Sequence, residues 1–140
     1  MASIPECAME DNFASPKQEV IAFLSILRDI LMNESSAFDD RIFQVEWWRD
    51  KNNAFQLEYR LTRQDAYDCV MNLDIRKYSH TMWEYRGGVK TGVKLFVFEG
   101  ICKNVTAYVK MKIVRDGTLI CCVGFHSPER KLRFPYNNST

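Results

Sequence analysis

Residues 105–126 read VTAYVKMKIVRDGTLICCVGFH. An alternating run before and a nearly continuous apolar run after flank Arg115-Asp116-Gly117-Thr118, the pattern of a β-hairpin. An Asp-Gly pair first suggests a two-residue turn, with Arg115 opposite Thr118 and Tyr108 opposite Phe125. Ala107, Val109, Met111 and Ile113 would then share a face with Ile120, Cys122, Gly124 and His126, which mixes core residues with a histidine. A three-residue loop with a left-handed Gly117 instead sets those four opposite Phe125, Val123, Cys121 and Leu119. That face is wholly apolar. A slip of one residue flips every side chain, so the apolar pattern selects the three-residue loop. The other face then carries Thr106, Tyr108, Lys110 and Lys112 with Ile120, Cys122, Gly124 and His126. A phenol, two ammonium groups and an imidazole come together there, and Gly124 leaves room for an approach. On charge alone the plainer reading is an ordinary solvated face.

Upstream of the hairpin the periodicity changes. Ser15-Pro16 with Gln18 opens a helix, Ser15 at the N-cap and Pro16 at the first helical position. Val20, Phe23, Leu24, Leu27 and Leu31 form its apolar stripe. Residues 33–36 are turn-like, 41–48 (RIFQVEWW) alternate as a strand, and 52–60 suit a short helix. Thr62 and Asp65 cap a further helix with Ala66, Cys69, Val70 and Leu73 on one face. Gly87, Gly88 and Gly92 mark 78–92 as a long loop, and strands follow at 93–98, 105–114 and 118–126. The tail from Ser127, with Pro128 and Pro135, runs along the surface. The order gives one α+β domain over 15–140, its N-terminal helices packed on one antiparallel sheet, after a flexible leader at 1–14.

Composition narrows the function. The chain has 140 residues, of which 46% are hydrophobic and 13% aromatic, values foreign to a disordered segment. No apolar run reaches the ~20 residues a membrane helix needs, and residues 1–15 do not read as a secretory signal, so a cytoplasmic location is expected. Five cysteines without metal spacing read as small buried hydrophobes. Net charge is +1, but the bases from Arg76 to Lys112 outnumber Glu84 and Glu99, so an acidic partner should meet this half. Two histidines without clustered carboxylates make a poor metal shell, and Gly87-Gly88 lacks the context of a nucleotide-phosphate loop.

Five segments, in order, resemble the MqsR family of toxins. They are RDKNN at 49–53, LTRQDAYDCVMNLDIRKY at 61–78, KLFVF at 94–98, AYVKMKI at 107–113 and GFH at 124–126. The resemblance covers about two-thirds of the chain. It implies a RelE-like fold and cleavage of messenger RNA without metal or organic cofactor. It also implies restraint by a partner antitoxin, in this group often zinc-bearing with a helix-turn-helix domain. The family's functional positions fall on Lys77, Tyr108 and His126. A further polar position falls on Val97, which can neither donate nor accept, and the leader is not a family feature.

Metal-free cleavage of RNA needs a base for the ribose 2′-OH, an acid for the departing 5′-oxygen and cations for the phosphoryl group. His126 suits acid or base because an imidazole titrates near neutrality. Tyr108 suits phosphate positioning or proton transfer, and Lys77 and Lys110 suit charge stabilisation. Lys110, Lys112 and Arg76 are candidates for RNA binding. The plainer alternatives are a histidine bonded to the chain end, a lysine serving a helix C-terminus, and solvated strand lysines. His80, in the expected loop, reads as exposed and silent. Of Trp47 and Trp48, one should be buried. Two other functions fit the composition: a non-catalytic module binding RNA or protein without cleavage, and an interaction protein that oligomerises through exposed aromatics.

Overall fold

The computed structural model describes residues 12–32 and 39–138. The leader up to residue 11 and the turn expected at 33–36 lie outside them. Helix α1 spans Lys17–Leu31, strand β1 Phe43–Val45, helix α2 Asp50–Tyr59 and helix α3 Arg63–Met71. A 3₁₀ turn at Ile75–Lys77 leads into strands β2 (Tyr78–Arg86), β3 (Val89–Cys102), β4 (Val105–Val114) and β5 (Leu119–His126). The strands form one sheet in the order β1-β5-β4-β3-β2. The expected α+β class is observed. The sheet, however, is mixed rather than wholly antiparallel, because β1 runs parallel to β5 through Phe43–Ile120 and Val45–Cys122. A three-residue edge strand has too little pattern to declare its direction in sequence. No helix among the described residues is long and apolar enough to cross a membrane.

The apolar stripe of α1 packs as its spacing predicts: Val20, Leu24, Leu27 and Leu31 are buried, and Phe23 stacks on Phe96 at 4.2 Å. Ser15 does not cap this helix. It is buried, its N–H donating to the Tyr78 hydroxyl (2.9 Å) and its own hydroxyl bonded to Thr81 Oγ1 (2.7 Å), which ties the helix entrance to β2. Phe13, before Ser15, also belongs to the fold, since it exchanges backbone hydrogen bonds with Thr81. Helix α3 has the capping box read from sequence: Thr62 accepts from Asp65 N–H and Asp65 accepts from Thr62 N–H. Its face of Ala66, Cys69, Val70 and Leu73 is buried.

Two sequence expectations fail, one at glycines and one at a bulge. Residues 78–92 are not a loop. Gly87 and Gly88, both with positive φ, make a two-residue turn between Arg86 and Val89, and Gly92 (φ 88°) lies in the irregular part of β3 opposite Trp83 to Tyr85. Glycines that punctuate strands here imitate the composition of a loop. The second failure concerns the final hairpin. Val114 faces Leu119 and Ile113 faces Ile120, so the loop is Arg115 to Thr118, one residue longer than expected. A bulge at Val123 then shifts the register, and Val109 faces Phe125 and Tyr108 faces His126. Each uniform register satisfies only half of β5; an extra residue satisfies both halves. Ile120, Cys122 and Phe125 therefore join Ala107, Val109 and Met111 in the core, while Tyr108, Lys110 and Lys112 share the far face with Gly124 and His126.

The bulge leaves polar groups on the edge of β5 beyond the end of β1. Asn52, only 1% exposed, satisfies them: its amide donates to Val123 O (2.9 Å) and Glu46 O (3.0 Å), and its Oδ1 accepts from Phe125 N–H (2.7 Å). One side chain continues the ladder where the neighbouring strand stops.

Candidate active site

The far face of the sheet carries the hydroxyl, amine and imidazole groups. Tyr108 and His126 face each other across β4 and β5, their rings stacked at 4.8 Å and 18°. Gly124 makes this possible, though not as a gap for a ligand. It pairs with Lys110, and a Cβ there would sit 3.1 Å from Lys110 Cβ and 3.3 Å from Tyr108 Cε1. The absent side chain makes room for the tyrosine ring itself.

A cavity of about 230 Å³ opens beside the stack, lined among others by Lys51, His80, Tyr108, Lys110 and His126. Its rim is closed by the C-terminal segment, where Glu129 pairs with Lys51 at 2.7 Å. The segment is anchored further on: the Tyr136 hydroxyl donates to Ser15 O at 2.5 Å and its ring stacks on Tyr78.

The electrostatics favour a neutral imidazole. Burial pushes the pKa of His126 down, and Lys51 and Lys110 add to this, while the Ser127 carbonyl and Glu129 oppose it. His126 Nδ1 lies 2.9 Å from Ser127 O. A carbonyl only accepts, so Nδ1 carries the hydrogen and Nε2 keeps a lone pair free for a proton. Burial, with Glu129 nearby, raises the pKa of Tyr108, so the phenol keeps its proton through neutral pH. Burial lowers that of Lys110, and Arg49 and Lys51 act in the same direction. His80 is pushed down to about 4, by burial first and Lys110 second.

Of the six residues singled out in sequence, three converge: Tyr108, Lys110 and His126. Lys112, two residues along β4, is 7% exposed and held 2.6 Å from Glu84. Lys77 and Arg76 lie on the 3₁₀ turn outside this cavity. Lys77 reaches Glu99 at 3.8 Å and lies over the Phe134 ring, and Arg76 makes a forked pair with Asp74. Val97 is buried between His80 and Lys110 on neighbouring strands. His80 is not the exposed loop residue that the glycines suggest. It stands on β2, half-buried, its Nδ1 2.8 Å from Ser79 Oγ, and it lines the cavity. The signal was the strand pattern of 78–86, hidden by the glycines that follow. Trp47 is half-buried against Phe125, whereas Trp48 is 72% exposed beneath Arg49. Four cysteines, Cys69, Cys102, Cys121 and Cys122, are buried free thiols, as expected of small hydrophobes. Among the described residues no three His, Cys, Asp or Glu side chains converge as a metal site would require.

No family model, curated protein or solved structure matches the chain.

Proposed function

We propose that this chain is a sequence-selective endoribonuclease, a toxin of the MqsR kind on a RelE-like fold, which cuts messenger RNA in the cytoplasm and is held in check by a partner antitoxin. The observation that carries the proposal is the Tyr108–His126 stack beside Lys110 at a cavity. His126 Nε2 takes the proton of the ribose 2′-OH. The 2′-oxygen attacks phosphorus and the bond to the 5′-oxygen breaks. The Tyr108 hydroxyl returns a proton to that oxygen, and the Lys110 ammonium holds the charge that builds on the phosphoryl oxygens. The products are a 2′,3′-cyclic phosphate and a 5′-hydroxyl. No metal or organic cofactor enters these steps. Lys77, Arg76 and Lys112 take supporting roles in RNA binding, with Lys77 outside the proton relay.

The test is cleavage of a long mixed-sequence RNA by the purified chain in EDTA, with the ends mapped. Recurrent cuts at one short sequence, ending in cyclic phosphates and lost in His126→Ala and Tyr108→Phe, are expected. Intact RNA would overturn ribosome-independent cleavage and favour a module that binds RNA without cutting it.

A further inference from the structure

A second cavity, of about 320 Å³, lies on the same face of the sheet. It shares Met82 and Lys110 with the first, so the two adjoin. Tyr108, Lys110 and Lys112 follow one another along β4 at steps of ~6.6 Å, the strand repeat for one face. Met82, Leu95 and Val123 supply apolar lining, with Leu95 and Val123 buried. Around them stand the cations Arg49 and Arg86 and the carboxylates Glu46 and Glu84. Glu46 holds Arg49 at 2.5 Å and Glu84 holds Lys112 at 2.6 Å.

We infer that this second cavity receives the nucleotide next to the scissile phosphate in a single strand of RNA; the inference rests on the ribonuclease reading. The apolar lining suits the flat face of a base. Arg49 and Arg86 suit the backbone phosphate. The two carboxylates disfavour a bare anion, and they accept hydrogen bonds from the amino groups of a base. A base and a phosphate carried together match this mixture; inorganic phosphate alone does not. Since Lys110 belongs to both cavities, a strand lying along β4 engages them at once.

The test uses the full chain and a fluorescein-labelled 2′-deoxy octanucleotide of mixed sequence, which lacks the nucleophile and cannot be cut. Anisotropy titrations over a series of salt concentrations give Kd and its salt slope. Arg49→Ala and Arg86→Ala should each weaken binding about three- to tenfold and lower the slope by about one. Inorganic phosphate in equal excess should not displace the octanucleotide. Absent binding overturns the inference, and so does binding that neither variant changes. Arg86 stands at the exposed end of β2, so its variant remains informative if Arg49→Ala disturbs the turn before α2. Arginine-dependent binding without cleavage of long RNA would keep the subsite and remove the ribonuclease. Cleavage with unchanged Kd in both variants would remove the subsite alone.

Discussion

A single missing methyl group holds the proposed site together. A Cβ on Gly124 would press on both Lys110 and Tyr108 at distances tighter than ordinary van der Waals contact. Gly124→Ala should therefore tilt the Tyr108 ring off His126. The expected result is a fall in cleavage of at least tenfold with a thermal midpoint shifted by only a few degrees; full activity in a folded variant would show that the stack is incidental. The two histidines make separate predictions. His126 acts as a base only when neutral, and burial holds its pKa below that of an ordinary imidazole. The rate should be flat across neutral pH and decline in acid, at a pH below the usual imidazole value. A profile that instead rises into acid would assign His126 the acid's part. His80 bears on stability. Above pH 6.5 it is neutral folded and unfolded. Below that the unfolded chain takes a proton that the folded chain refuses until about pH 4. Stability is lost over this window, by about 1–2 kcal/mol after allowance for its partial exposure. Urea midpoints of His80→Gln should fall less between pH 7 and pH 4 than those of the parent chain.

The elements differ in how far the sequence announces them. Helices α1 and α3 are plain because burial repeats at the helical period and Thr62 and Asp65 mark one start. Strand β4 is plain for the same reason at period two, and with it the sharing of a face by Tyr108 and Lys110. Two other features were obscured by local irregularity. The glycines of the β2–β3 hairpin imitate a loop, which concealed β2 and therefore His80. The bulge at Val123 splits β5 into two registers, and no uniform pairing can show it. The final placement of His126 beside Tyr108 emerges only when that extra residue is counted. What permits the bulge is remote in sequence: Asn52, which serves Val123 O and Phe125 N–H from another element. Asn52→Ala would leave both groups buried without partners. The expected cost is about 2–4 kcal/mol, read as a lower urea midpoint with an unchanged slope. A loss under 0.5 kcal/mol would mean that water or a shifted β5 replaces the amide.

On the scale of the whole molecule, the C-terminal segment joins the two ends of the fold across the proposed site. It leaves β5 at His126, sets Glu129 against Lys51, and lays Arg130 and Leu132 along the cavity. It then reaches Tyr136, whose ring rests on Tyr78 and whose hydroxyl bonds Ser15 at the entrance of α1. The catalytic groups proposed here stand on β4 and β5 and owe their geometry to the sheet, whereas the cavity wall owes its position to the Tyr136 anchor. These two dependencies separate kinetically. Tyr136→Ala removes a stacked ring and a part-buried hydrogen bond whose partners are Tyr78 and Ser15 rather than Tyr108 or His126, so it should loosen the wall while leaving the stack in place. A change confined to the wall weakens substrate and transition state alike, which raises KM without lowering kcat. With an RNA oligonucleotide substrate, KM should rise several-fold, kcat should stay within about threefold of the parent, and the thermal midpoint should drop by several degrees. A fall in kcat at constant KM would instead mean that the anchored segment sets the stack itself, through Glu129 and the Ser127 carbonyl that orients His126.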